Sequence, residues 1–344
     1  MRLIQVGLGG FGRSWATLVQ ATPGVTLAAV VDSAPAALDW AQTNLGLPAG
    51  SCFASLADAL ARVPSEAALI VTPPETHTDL AIAALEAGRH VLVEKPLAPS
   101  LPEARRVVEH AARVGQTLMV GQNYRFRAGP RAAQRVIADG AIGSLISVRL
   151  TFRRDTRSLF PPGNFRYRMR HPLLVDMAIH HLDLIRAVTG QDIVRVAARS
   201  WPVPDSPYRH HPAAAIVFTL SGGAAGLYDG DWAALADETP WEGSWELLGD
   251  AGRMLWRGGA AGDIAVQRWG GALESVPVPP LEAEDRAGVL QAFLTAIETG
   301  REPETSGRDH LKSLAAVLAS VEAAETGETI TIRTNNTATV LPEK

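Results

Sequence analysis

Lysine is nearly missing from this chain of 344 residues: of 32 basic residues only Lys95, Lys312 and Lys344 are lysines, which leaves 29 arginines. Cysteine is scarcer still. The single Cys52 cannot close an internal disulfide or supply the thiolates of a zinc site. Within the apolar stretch Ser51–Ala54 it reads as a small buried hydrophobe. No uninterrupted apolar run approaches the ~18–20 residues that a membrane span requires. Positive charge is not in excess: 36 acidic residues against 32 basic give a net charge of −4 and a pI near 6.2. That balance excludes the basic footprint of a nucleic-acid or membrane-surface protein. The apolar start Leu3–Val6 runs straight into glycines, so no secretory signal is expected and the cytoplasm is the expected compartment.

What is present is ample apolar material, 47% of residues, enough for two cores in a chain too long for one ordinary domain. Leu3–Val6, Thr26–Val31, Ala68–Val71, His90–Val93 and Thr117–Val120 are short, branched and apolar, as strands buried on both faces should be. Ala-rich helical stretches separate them, among them Asp79–Ala87 and Pro102–Val114, with Gly88 and Gly115 where C-terminal caps belong. Strand and helix in alternation predict a parallel sheet with helices on both faces. After Gln122 the texture changes. Between Arg195 and Trp269 several β-like runs follow one another without long helices, which predicts an antiparallel sheet; six of the eight tryptophans fall there. Helices near Arg286–Glu298 and Arg308–Ala324 and a β-like run at Thr329–Arg333 close the chain. The expected organisation is two domains, residues 1–122 and 123–344.

Gly7-Leu8-Gly9-Gly10-Phe11-Gly12 has the G-x-G-x-x-G spacing directly after a predicted strand. Gly7 permits the tight turn, Gly9 lets backbone approach a pyrophosphate, and Gly12 allows close helix–strand packing. The helix that follows offers unpaired N–H groups and a positive dipole end to phosphate. Asp32 ends the second strand 20 residues after Gly12, where a carboxylate binds the ribose hydroxyls of adenosine. The pattern predicts a dinucleotide cofactor. Asp32 favours NAD over NADP, because a carboxylate repels a 2′-phosphate; dual use is left open.

Glu94-Lys95-Pro96 ends the fourth predicted strand, and ligands of open α/β sheets gather outside such ends. Lys95 could hydrogen-bond a reacting oxygen there and stabilise developing negative charge. An arginine would bring a bulky planar fork where a compact point charge is needed. Lys312 and Lys344 have no evident chemistry. Farther on, Asp176, His180 and Asp183 follow i, i+4, i+7 spacing and share one predicted helix face, while Val175, Ile179, Leu182 and Ile185 form the opposing apolar stripe. The polar stripe is therefore expected outside the core, with His181 rotated away by ~140°. His180 can accept and return a proton near neutrality when a carboxylate orients it. The alternative is a capping Asp beside an ordinary surface His.

Together these residues resemble the glucose–fructose oxidoreductase / inositol dehydrogenase (Gfo/Idh/MocA) family over nearly the whole chain. The likeness rests on the glycine turn, Val71-Thr72-Pro73-Pro74 with His77, Glu94-Lys95-Pro96, Gly121-Gln122-Asn123-Tyr124-Arg125-Phe126 and the helix bearing Asp176, His180 and Asp183. It implies an α/β fold: an N-terminal Rossmann domain, then an α/β domain whose open, mainly antiparallel sheet often mediates oligomerisation. A homodimer or homotetramer is expected. By the resemblance Lys95, Asp176 and His180 correspond to the catalytic residues, and Thr72, Pro73, His77, Glu94 and Gln122 line the nicotinamide side. The implied activity is NAD(P)-dependent oxidation of a CH–OH group in a sugar, cyclitol or related polyhydroxy compound. Other readings are glycoside cleavage with NAD cycling internally, and a non-catalytic NAD-binding regulator. Many relatives carry glycines before the Asp-bearing helix; here His171-Pro172-Leu173-Leu174-Val175 predicts a stiffer, bulkier entry.

Weaker signals surround that segment. Arg149, Arg153, Arg154, Arg157, Arg166, Arg168 and Arg170 interleave with Phe152, Phe160, Phe165 and Tyr167. The dehydrogenase context argues for a solvated face or subunit contact, or for one or two arginines, Arg166 or Arg168, on a substrate anion. Tyr124 joins Arg166, Lys95, Asp176 and His180 as a candidate substrate contact. The pairs His180-His181 and His210-His211 lack H-x-x-x-H spacing with a further ligand, so no metal is expected. The tryptophans serve sheet packing or an interface sooner than sugar stacking, with Trp232 beside Asp231 the first to test.

Overall fold

A computed structural model describes residues 1–235, 237–259 and 263–333. The chain divides into two compact units: residues 1–123 with 286–311, and residues 124–285 with Lys312 onward. A single boundary after Gln122 was expected. The chain in fact changes unit three times, because strand pairing far along the sequence draws residues 286–311 back. Val120 N–H donates to the Thr305 carbonyl at 2.8 Å, and Met119 bridges Ser306.

The first unit runs β1 (Arg2–Val6), α1 (Gly10–Ala21), β2 (Thr26–Val31), α2 (Pro35–Leu45), β3 (Cys52–Phe53), α3 (Leu56–Arg62), β4 (Ala67–Ile70), α4 (His77–Glu86), β5 (His90–Val93), α5 (Leu101–Val114) and β6 (Leu118–Val120). The six strands pair in parallel in the order β3-β2-β1-β4-β5-β6. Continuous apolar runs make this sheet: Ala67–Ile70 and Val91–Val93 are wholly buried, as strands covered on both faces must be. Helix α5 shows the punctuation that the sequence carries. Ser100 accepts from the Glu103 N–H while its hydroxyl bonds the Glu103 carboxylate at 2.6 Å, and Gly115 closes the helix in the left-handed region. Strand order reverses between β1 and β4, so the carboxyl ends of those strands flank a crevice suited to a dinucleotide. Cys52 is half-buried on the short edge strand β3, with burial pushing its thiol pKa up.

The second unit runs α6 (Ala128–Ala138), β7 (Leu145–Arg153), a π-helical turn (Leu173–Met177), α7 (Ala178–Thr189), β8 (Ile193–Trp201), β9 (Ala213–Leu220), β10 (Ala225–Asp231), β11 (Ser244–Gly249), β12 (Gly252–Trp256), β13 (Ile264–Arg268) and β14 (Leu273–Ser275). Next come α8 (Asp285–Thr299), almost all of it in the first unit, α9 (Gly307–Thr326), shared between the units, and β15 (Ile330–Thr331). The sheet order is β14-β13-β12-β11-β7-β10-β9-β8-β15, antiparallel except for the β7–β10 pair. Alternation along β7 sends Val148, Leu150 and Phe152 inward and leaves Arg149 and Arg153 outside. The inward face joins Ile179, Leu182 and Ile185 of α7 and Ala316 and Val317 of α9 in one core. Each large side chain so buried contributes roughly 1.5–3 kcal/mol. Trp232, Trp245 and Trp256 lie in that core, whereas Trp201 and Trp269 are exposed. Among the described residues no helix is long and apolar enough to cross a membrane, and no group of three or more His, Cys, Asp and Glu could hold a metal ion. Lys344 lies outside the described residues.

Candidate active site

In the first unit the glycine turn is built by contacts that admit no side chain. A Cβ on Gly12 would stand 2.3 Å from the Gly7 carbonyl oxygen, and one on Gly7, at φ +98°, would stand 2.4 Å from the Val71 carbonyl oxygen. The close approach that requires Gly12 is thus within the turn itself. Gly9 and Gly10 face open space, the room that a pyrophosphate needs at the first turn of α1. Gln5, which sequence reasoning passed over, staples the turn from below: its side-chain amide donates to the carbonyls of Gly7 (3.0 Å) and Gly12 (2.7 Å). A buried polar residue inside an apolar strand was the available signal. Asp32 accepts from the backbone N–H of Leu8 (2.7 Å) and of Ala34 (2.9 Å), so the carboxylate expected to meet ribose also fixes the glycine turn. Each oxygen retains a further lone pair for a hydroxyl. Phe11 is 53% exposed beside this space.

The residues expected on the nicotinamide side divide into accessible and buried. Lys95 is half-buried at the end of β5; past the end of β4 Thr72 is half-buried and Pro73 exposed. His77 is buried, with Nδ1 2.8 Å from the Pro96 carbonyl and Nε2 2.8 Å from the Thr72 carbonyl. It ties those two turns together. Glu94 is buried as well; it accepts the Trp15 indole N–H at 2.6 Å and the Lys95 backbone N–H at 3.1 Å. Burial pushes its carboxyl pKa up, against the Trp15 bond and the charges of Lys95 and Arg286. Gln122 is buried beside His310, its amide nitrogen 3.4 Å from Nδ1.

In the second unit His180 lies flat on Tyr124, ring centres 4.4 Å apart and planes 15° from parallel. Arg127 covers Tyr124 too, its Cζ 3.7 Å from the ring centre. Two groups so close cannot share one face, so Tyr124 is sandwiched between imidazole and guanidinium. Arg127 is anchored in turn by Glu242 (2.6 Å) and Asp285 (2.7 Å). Burial raises the pKa of the Tyr124 hydroxyl.

The polar stripe expected outside the core is buried: His180 is 7% exposed and Asp183 1%. Helix α7 is enclosed on every side, which an apolar stripe along one face did not foretell. Asp183 receives Arg125 Nε and Nη2, both at 2.6 Å, and the Ser313 hydroxyl at 2.7 Å. It is a structural counter-ion. Asp176 stands not on α7 but in the π-helical turn before it, so the even i, i+4 count from Asp176 to His180 does not apply. Its carboxylate receives Arg166 Nε at 2.5 Å, and that guanidinium is stacked over Phe160 and Phe165. The Pro172-Leu173-Leu174-Val175 entry is buried to its last residue, in keeping with the bulk expected of it. His181 is held by the Tyr228 hydroxyl (3.1 Å) and the Trp241 carbonyl (2.8 Å), and burial drops its pKa to about 4. Trp232, 2% exposed, packs on Tyr208 and Phe160 and presents no face for a sugar.

Comparison with known proteins gives the family. Residues 1–122 match the family model of the oxidoreductase family, NAD-binding Rossmann fold, and residues 131–255 match the GFO/IDH/MocA C-terminal domain. A 1,5-anhydro-D-fructose reductase of Ensifer adhaerens is 28% identical over 96% of this chain and 98% of its own. An inositol 2-dehydrogenase of Rhizobium meliloti is also 28% identical, over 95% of this chain and 98% of its own. The fold matches the crystal structure of an oxidoreductase from Agrobacterium radiobacter in complex with NAD+, L-tartaric acid and magnesium, with a TM-score of 0.86 at 24% identity over 96% and 98% of the two chains. The chain belongs to the GFO/IDH/MocA oxidoreductases, and its residues 1–122 are their NAD-binding Rossmann domain.

Proposed function

Starting from that membership, we propose that this oxidoreductase removes hydride from a CH–OH group of a sugar, cyclitol or related polyhydroxy compound, with Lys95, Asp176 and His180 acting at the reacting hydroxyl. NAD, when bound, supplies the hydride acceptor at nicotinamide C4. His180 takes the hydroxyl proton, so that proton and hydride leave together and a carbonyl remains. Lys95 hydrogen-bonds the reacting oxygen and stabilises the negative charge that grows on it. Asp176 supplies the carboxylate of the histidine, within reach of Arg166. Tyr124 backs the His180 ring, and Arg166 offers the substrate the edge of its guanidinium not used on Asp176. Asp32 favours NAD over NADP.

The observation that carries the reading is the His180 ring fixed flat on Tyr124, a proton acceptor whose plane is set before substrate arrives. The substrate class follows the names of the relatives, an inositol dehydrogenase and an anhydro-sugar reductase. Purified protein given NAD and a panel of cyclitols, aldoses and anhydro-sugars should develop nicotinamide absorbance with at least one of them. Replacing His180 by Ala should lower kcat by about 10²–10⁴. A variant with wild-type turnover would refute the role of His180. Sugar release without net NADH would replace the dehydrogenase with internal redox cycling.

A further inference from the structure

Residue 286 opens the segment that returns to the first unit, and its guanidinium lies along one face of α1. Phe11, Ser14 and Trp15 stand at i, i+3 and i+4 and so share that face. Arg286 Cζ is 4.8 Å from the Phe11 ring centre and 5.8 Å from that of Trp15, and Nη1 donates to the Ser14 hydroxyl.

Electrostatically this is a poor place for a cation. Arg286 occupies the first turn of α8, which begins at Asp285, and its head rests on the beginning of α1, which starts at Gly10. Both are positive ends of helices, where a cation is disfavoured and an anion is stabilised by about 0.3–1 kcal/mol at exposed sites. Among the described residues no carboxylate pairs directly with Arg286: its hydrogen bond goes to a neutral hydroxyl, and its stacking partners are neutral rings. The buried Glu94 senses its charge, but that carboxylate is bonded to Trp15 and to the Lys95 backbone. Two helix starts and a guanidinium therefore converge beside the open ground of Gly9 and Gly10, while the neighbouring carboxylates are bonded to other groups, Asp285 to Arg127 and Glu94 to Trp15 and the Lys95 backbone.

We propose that Arg286 is a cofactor-binding residue, its guanidinium bonded to the pyrophosphate of the bound dinucleotide from the Glu94 side of the glycine turn. Phe11 and Ser14 hold the fork in place, and the two phosphate charges give it a directly bonded anion. The Rossmann domain is in this sense completed by a residue far outside the 1–122 segment.

The test compares ADP-ribose, which carries the pyrophosphate, with adenosine, which carries no phosphate, by titration calorimetry on the full chain. Arg286→Gln should bind ADP-ribose and NAD about tenfold more weakly, the scale of one lost charge-assisted hydrogen bond, and adenosine as the wild type does. Its affinity for ADP-ribose should also fall less steeply with added salt. Ser14→Ala, a small change, should weaken ADP-ribose binding about threefold by the same route, and it decides the matter if Arg286→Gln does not fold. Unchanged ADP-ribose affinity in the folded variants would overturn the proposal. So would an equal loss for adenosine and ADP-ribose, which would make Arg286 a brace for α1. These are binding measurements, so they stand whatever substrate the enzyme oxidises.

Discussion

Removing the Asp183 carboxylate should damage stability before it touches chemistry. The carboxylate is buried and takes three short hydrogen bonds, two from Arg125 at 2.6 Å and one from Ser313 at 2.7 Å. Arg125 is itself only 8% exposed, so Asp183→Ala would take the carboxylate from a nearly buried guanidinium. Breaking one side of such a buried pair costs about 3–5 kcal/mol. For a unit of 150–250 residues each kcal/mol lowers Tm by about 2–4 °C, so the expected drop is roughly 6–20 °C. Thermal melts followed by near-UV circular dichroism would read it. The double variant Arg125→Met/Asp183→Leu should recover most of the loss, because it removes both charges and keeps apolar volume. An Asp183→Ala protein that melts with the wild type yet fails to turn over would contradict a structural assignment and place Asp183 on the substrate.

Three further outcomes follow from the same geometry. Gly12→Ala should destabilise the first unit by about 1–3 kcal/mol, since its Cβ would meet the Gly7 carbonyl 2.3 Å away, whereas Gly9→Ala should leave the melt unchanged and weaken NAD binding; calorimetry and melts on both variants separate the effects. His181 has a pKa of about 4 when folded against ~6.5 unfolded, so the stability it contributes is complete above pH ~6.5, fades as pH falls and is gone near pH 4. Urea midpoints should therefore slope less between pH 6.5 and 4 in His181→Gln than in the wild type, and parallel slopes would rule the linkage out. Arg166→Gln releases Asp176 from its 2.5 Å partner. Steady-state kinetics should show a raised KM if Arg166 holds substrate, while a change in kcat alone would mean that it acts only through Asp176.

Local patterns carried the first unit well because parallel strands buried on both faces write themselves as apolar runs, and because glycine turns and glycine helix caps are chemistry of adjacent residues. The return of residues 286–311 was not legible: its evidence is the pairing of Val120 with Thr305, and no local periodicity encodes a partner so distant. The site shows the same division. That Gly7 and Gly12 form a turn after β1, and that Asp32 and Lys95 follow strand ends, was legible from local pattern, whereas the environment of α7 was not. A helical wheel assumes a single polar side, but Arg125 and Ser313 arrive from elsewhere in the chain to satisfy Asp183 inside the core. The wheel also assumes 100° per residue, which the π-helical turn at Leu173–Met177 does not keep.

Lysine scarcity makes the limit of compositional reasoning concrete. By composition alone Lys312 is as unusual as Lys95. Lys312 Nζ bonds Asp192 Oδ2 at 2.7 Å while Arg186 Nε takes Oδ1 at 3.0 Å, and the two cations hold the Asp192 carboxyl below its ordinary range despite partial burial. Arg186 also bonds Ser313, the hydroxyl that reaches Asp183. Lys312 thus braces the far end of the network that fixes α7. Lys312 places a compact ammonium in an ion-pair network, whereas the role proposed for Lys95 places one at a reacting oxygen. Rarity marks a residue as constrained; only its surroundings say by what. Lys312→Arg against Lys95→Arg would expose the difference: the first should shift Tm by no more than a few degrees and leave kcat intact, and the second should leave Tm intact and lower kcat. A loss of kcat in Lys312→Arg at unchanged Tm would sink the distinction.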